Sequence, residues 1–124
     1  MKIKTADLQG DALDWAVATL EGYTDWCGKT EKFLPPRKEY GWVDFFDLRY
    51  STDWSQAGPI IERERISLYP THGVSWFAEG APDSECDQEL AAQRGPTPLI
   101  AAMRCFVAFK LGDEVEIPEE LANP

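Results

Sequence analysis

Apolar residues recur at helical spacing in two windows of the chain. Leu13, Ala16, Val17 and Leu20 fall at i, i+3, i+4 and i+7. That spacing puts them on one stripe and predicts an amphipathic helix from about Asp11 to Glu21. Asp11 suits its N-cap, Asp14 its first turn, and Gly22 a C-terminal position that tolerates positive φ. The second window is stronger. Thr97 reads as an N-cap with Pro98 at N1, where the missing N–H costs nothing, and Leu99, Ala102, Met103, Phe106 and Phe109 line one side. Lys110 suits the negative end of the helix dipole, and Gly112 closes the segment. Ile100, Ala101, Cys105 and Val107 make this helix apolar nearly all round, so it is expected to pack centrally.

Strand patterns are shorter. Lys2-Ile-Lys4 reads as an edge strand, and residues 42–50 mix aromatic and β-branched side chains as one or two strands do. Residues 66–69 and 74–77 flank the turn-rich Pro70-Thr-His-Gly73 and predict a β-hairpin. Gly58-Pro59 opens a short helix with Pro59 at N1, and residues 117–121 make one capped turn packed by Leu121. Residues 81–84 and 95–98 read as loops, but no linker or repeat divides the chain, so residues 1–124 form a single domain. The expected fold is α+β: a small antiparallel sheet packed against one long apolar helix, plus an N-terminal amphipathic helix.

Composition narrows the functions. The 124 residues are 44% hydrophobic and 27% charged, ordinary globular values, but 22 Asp+Glu against 12 Lys+Arg give a net charge of −10. That sign disfavours nucleic acid and anionic membranes as partners. The carboxylates crowd after Gly112, as Asp113, Glu114, Glu116, Glu119 and Glu120. The start of the chain lacks an apolar leader. The most apolar stretch, residues 99–111, is interrupted by Arg104 and Lys110 and falls short of the about 20 residues a bilayer requires. These features place the protein in the cytoplasm. Cys27, Cys86 and Cys105 form no Cys-x-x-Cys and read as free thiols there.

Reactive constellations are scarce. His72, the one histidine, falls in the hairpin turn and reads as solvated; no nucleophile elbow accompanies it. The Cys and His spacing suits no zinc site, and no phosphate-binding glycine loop occurs, so neither metal nor cofactor is expected. The run Lys29, Lys32, Arg37 and Lys38 with Phe33, Tyr40 and Trp42 has residue types used on single-stranded nucleic acid. Glu31 and Glu39 dilute it, and a solvated loop pinned by its aromatics is preferred. The most pointed stretch is residues 50–65. Ser51, Thr52 and Asp53 bond back to nearby backbone and fix a turn beside Trp54. Read as function, this is a ligand cup with Trp54 as platform, Gly58 at the loop's end, and Glu62 or Arg63 as polar handles. Read as structure, which is preferred, Trp54 plugs the core and residues 62–65 are a solvated face.

Ser51-Thr-Asp-Trp54 followed by Gly58-Pro-Ile-Ile-Glu-Arg63 resembles the phage NinX-like family. So do Gly95-Pro-Thr-Pro-Leu-Ile-Ala-Ala-Met-Arg104, Lys110-Leu-Gly-Asp-Glu-Val115, Met1-Lys-Ile-Lys-Thr5 and Leu13-Asp-Trp-Ala-Val17. The resemblance spans nearly the whole chain, residues 27–40 being less characteristic. It implies a domain of unknown function from tailed phages and prophages of enteric bacteria, hence a gene context and no chemistry. The leading expectation is a non-enzymatic accessory protein that sequesters a small anionic molecule such as a nucleotide. Its pocket is expected between the loop at residues 51–59 and the helix start at 96–99, where backbone N–H groups are unpaired. The candidate ligand-binding residues are Thr52, Asp53, Trp54, Gly58, Glu62, Arg63, Trp76 and Thr97. The alternatives are an acidic inhibitor of a host protein and a small enzyme with Asp53 or Glu62 as general base. The enzyme requires a raised carboxyl pKa in a dry pocket.

Overall fold

The computed structural model describes residues 1–37, 39, 41–80 and 92–122. In chain order the elements are β1 (Lys2–Lys4), a 3-10 turn (Thr5–Asp7), α1 (Gly10–Leu20), β2 (Thr24–Cys27), β3 (Lys32–Leu34) and β4 (Val43–Asp44). A second 3-10 turn (Phe45–Asp47), α2 (Trp54–Glu64), β5 (Ser67–Pro70), β6 (Trp76–Glu79) and β7 (Gln93–Gly95) follow. The chain then forms α3 (Pro98–Leu111), β8 (Glu114–Glu116) and α4 (Glu119–Ala122). The fold is α+β, but the strands make three small antiparallel sheets, β1–β8, β2–β3–β4 and β5–β6–β7, where one was expected.

Helix α3 is the spine. Ala101 through Ala108 are buried without interruption, because α1, α2 and the β5–β7 sheet surround the helix. Its cap is as expected: Thr97 Oγ1 accepts the Ile100 N–H at 3.1 Å, and Gly112 ends the helix at φ 90°. Helix α1 packs Leu13, Ala16 and Val17 inward, fully buried. Two details differ. The N-cap is Gln9, with no side-chain bond, and Asp11 falls in the first turn. Asp14, expected in the first turn, lies beyond it, is buried and accepts the Ser51 N–H at 2.7 Å. At the far end of the chain, Leu121 is buried and closes the short α4 as expected.

Helix α2 starts earlier than Pro59 suggests. The Asp53 carboxylate accepts the Ser55 N–H at 2.9 Å and fixes the N-terminus there, which leaves Pro59 inside the helix. The proline forfeits only the bond to the Ser55 carbonyl, and both residues are exposed, so water replaces it. Residues 42–50 are mostly not strand. Only Val43–Asp44 pairs, with β3; the chain then turns so that Phe45 is buried and Phe46 is 74% exposed. The hairpin at residues 66–77 forms, shifted toward its C-terminal side, with Tyr69 opposite Phe77. The expected loop at residues 81–84 lies outside the described residues.

Gly95 governs how closely the β5–β7 sheet approaches α3. A Cβ there would stand 2.7 Å from Ala101 N and 3.1 Å from Ala101 Cα, backbone atoms that cannot step aside. Gly95→Ala is expected to destabilise by about 1–3 kcal/mol through overpacking. Urea unfolding measures it, and a change below half a kcal/mol would mean that β7 slides freely on the helix.

Candidate functional site

The eight residues singled out from sequence do not converge. Asp53 is a cap: Ser55 N and Oγ donate to its Oδ1 at 2.9 and 2.6 Å, Gln56 Nε2 donates to Oδ2 at 3.3 Å, and these bonds hold its pKa below the usual value. The general-base role needs the opposite shift, and Glu62, exposed on α2, has no dry pocket either. Trp54 is 55% exposed, so it does not plug the core. Gly58 lies within α2, with open space where a Cβ would stand. Arg63 is engaged by carboxylates: Nη1 and Nη2 donate to Glu21 at 3.1 and 2.8 Å, and Nε donates to Glu64 at 2.8 Å. Lys110 completes this ion-pair network at 3.3 Å from Glu64, joining α1, α2 and α3. Trp76 packs against Ala78, Ala101 and Cys105 on the α3 side of its sheet, and Thr97 is spent on capping.

Thr52 alone among them lines a described cleft. This cleft, about 670 Å³, lies between the Ser51–Thr52 turn, the start of α1, Ile100 and α4. It does bring the loop and the first turn of α3 together. Its charged side chains are Asp7, Asp11 and Glu120, and the Met1 ammonium that also borders it is paired with Glu116, so the cleft is a poor setting for an anion.

A second cleft, about 630 Å³, has the opposite character. It follows the edge of β7 that no other described strand pairs, with Phe77, Val74 and Pro96 as apolar walls and two guanidiniums, Arg94 and Arg104. Arg104 is the one charged residue among the buried positions of α3, 9% exposed. Its Nε donates to Leu8 O at 2.7 Å and its Nη1 to Arg94 O at 2.8 Å, which ties the 3-10 turn to the outer edge of β7. Those carbonyls satisfy two N–H groups without neutralising the charge. Among the described residues no carboxylate forms an ion pair with either arginine, and no acceptor takes Arg104 Nη2. Burial pushes the Arg104 pKa down from its ordinary value, and the field of Asp7 pulls it back. A guanidinium remains charged through such shifts. Arg104 therefore sets a largely buried cation, with no ion-pair partner among the described residues, beside the edge of β7 and its cleft.

The family model described as bacteriophage P22, NinX matches residues 4–110. The chain belongs to the NinX family. No curated protein matches it. The match takes in every residue lining the second cleft of this NinX chain, both arginines included, whereas Met1, Ile3 and the α4 residues of the first cleft lie outside it. Among the described residues, no helix is long and apolar enough to cross a membrane, and no three His, Cys, Asp or Glu side chains gather as a metal-binding group. His72 is exposed in the hairpin turn. Arg94 and Arg104 were missed from sequence, although a lone charge inside a helix apolar on every side was the available signal.

Proposed function

We propose that this phage accessory protein acts without catalysis in the host cytoplasm, by holding a small anion in the cleft at Arg94 and Arg104. The observation that carries this reading is Arg104, nine-tenths buried on α3 with Nη2 unengaged among the described residues. A carboxylate or phosphate oxygen there gains a charge-assisted bond in a partly dry setting, and Arg94 supplies a second cation at the rim. The anion-binding role foreseen for the loop at Thr52 moves to this cleft because the Thr52 cleft is walled by carboxylates. Free thiols at Cys27 and Cys105 suit a reducing compartment.

Titration calorimetry with orthophosphate, small carboxylates and nucleotides tests the reading. Arg94→Ala is expected to weaken binding about tenfold, the worth of one charge-assisted hydrogen bond. Arg94 is exposed, so the variant folds. Equal affinity in the variant, or no binding to any anion, would remove the support. A second reading, docking of a basic host protein, draws on the exposed Trp42, Phe46 and Trp54 and on the net charge of −10. Capture from host lysate that dissolves as salt rises would favour it.

A further inference from the structure

Strand register sets Tyr69, Phe77 and Arg94 side by side across β5, β6 and β7. The alternate positions Trp76 and Ala78 pack toward α3, so this row lies on the opposite face of the sheet. Tyr69 covers one side of Phe77, with centroids 5.5 Å apart and planes 27° apart, and donates its hydroxyl to Glu79. On the other side, Arg94 Cζ stands 6.0 Å from the Phe77 ring centroid. Surfaces in full contact approach to about 3.5 Å, so this pair is loose, and one planar ring between two faces needs roughly 7 Å, which Arg94 reaches only by moving outward. Arg94 forms no ion pair among the described residues, and so it can swing outward at little cost. Arg104, which reaches from α3 to the Arg94 carbonyl on β7, lines the same cleft.

We infer that the cleft selects anions carrying a planar ring, the ring held between Phe77 and the Arg94 guanidinium and the anionic group held by Arg104. This rests on the anion-binding reading and adds a ligand class to it. Guanidinium planes and aromatic faces both stack on flat π systems, nucleobases included. A nucleoside monophosphate and an aromatic carboxylate share the required chemistry. The cleft's 630 Å³ lies within the range of small-molecule sites, about 300–1,000 Å³.

Calorimetry on the full chain with matched pairs separates the possibilities. Adenosine monophosphate is expected to bind at least tenfold more tightly than ribose 5-phosphate, which lacks the base; for an aromatic carboxylate, benzoate instead outcompetes acetate. In Phe77→Leu the ring-bearing ligand's advantage is expected to fall at least fivefold, and in Phe77→Tyr, which restores the ring, to return. The preference is a ratio within each variant, so partial destabilisation does not mimic the effect. Equal affinities within both pairs overturn the inference while leaving anion binding standing. A preference that survives Phe77→Leu also overturns it. No binding by orthophosphate or any of these ligands overturns both readings.

Discussion

Phe33→Ala is expected to cost about 3–5 kcal/mol, a large share of the 5–15 kcal/mol that typically holds a domain together. Phe33 is 1% exposed on β3, at the centre of an aromatic cluster from four other segments. Ring centroids lie 4.9 Å away at Trp26, 6.0 Å at Tyr23, and 6.1 Å at both Trp15 and Phe45. No single neighbour can fill the space the ring vacates, because each is held by its own backbone element. The loss therefore combines transfer and cavity terms. Unfolding in urea followed by tryptophan fluorescence reads the loss directly, since Trp15 and Trp26 border the cavity. Phe46→Ala is the internal comparison. That ring is 74% exposed with Arg49 stacked 4.1 Å above it, and its removal should stay within about 0.5 kcal/mol. A loss under 1 kcal/mol for Phe33→Ala would show that the β2–β4 sheet is not anchored through this ring.

The contrast between those two phenylalanines marks where sequence reading succeeds. Helices α1 and α3 announce themselves because their apolar residues repeat with a period the backbone imposes, and Thr97, Pro98 and Gly112 punctuate the ends. The β5–β6 hairpin was legible for a similar reason. Strands β2 and β3 were not: they are four and three residues long, too short for alternation to register. They exist because Phe33 and Trp26 have a cluster to join, which is a tertiary fact. Pairing of β1 with β8 is likewise invisible in local pattern, since it joins residues more than a hundred positions apart, Lys2 to Glu116.

The candidate site residues teach something else. Ser51, Thr52 and Asp53 were read as residues that bond back to nearby backbone, and Asp53 does so as the α2 cap. Asp53 is committed to that cap, a demand on its carboxylate that competes with any ligand. Arg63 repeats the lesson, with two carboxylates on its guanidinium. Arg104 inverts it. Sequence treated it as an interruption of an apolar run, yet burial without a carboxylate is what separates it from the other arginines.

Asp14→Asn is expected to raise stability at neutral pH and to remove an unusual pH dependence. Burial on α1 lifts the Asp14 carboxyl from 3.8 to about 6, against the lowering effect of its hydrogen bonds from Ser51. Asp11 pushes in the same direction as burial, and Arg49 opposes it. A carboxyl whose folded pKa is raised binds more protons folded than unfolded between those two values. Its contribution to stability is full below pH 3.8, is lost as pH rises through about 6, and is absent above that. The charged form at pH 7 therefore costs the fold roughly 3 kcal/mol relative to the neutral form. Asparagine keeps an oxygen for the Ser51 N–H but brings an amide N–H that needs a partner, which returns about 1–2 kcal/mol of the gain. Subtracting variant from parent cancels every other titrating group. The difference between them should thus favour the variant by about 1 kcal/mol or more at pH 7.5 and move toward the parent by a few kcal/mol at pH 4. Urea unfolding across that range traces the curve. A difference that stays flat with pH would place Asp14 in contact with water and release the Ser51 turn from α1.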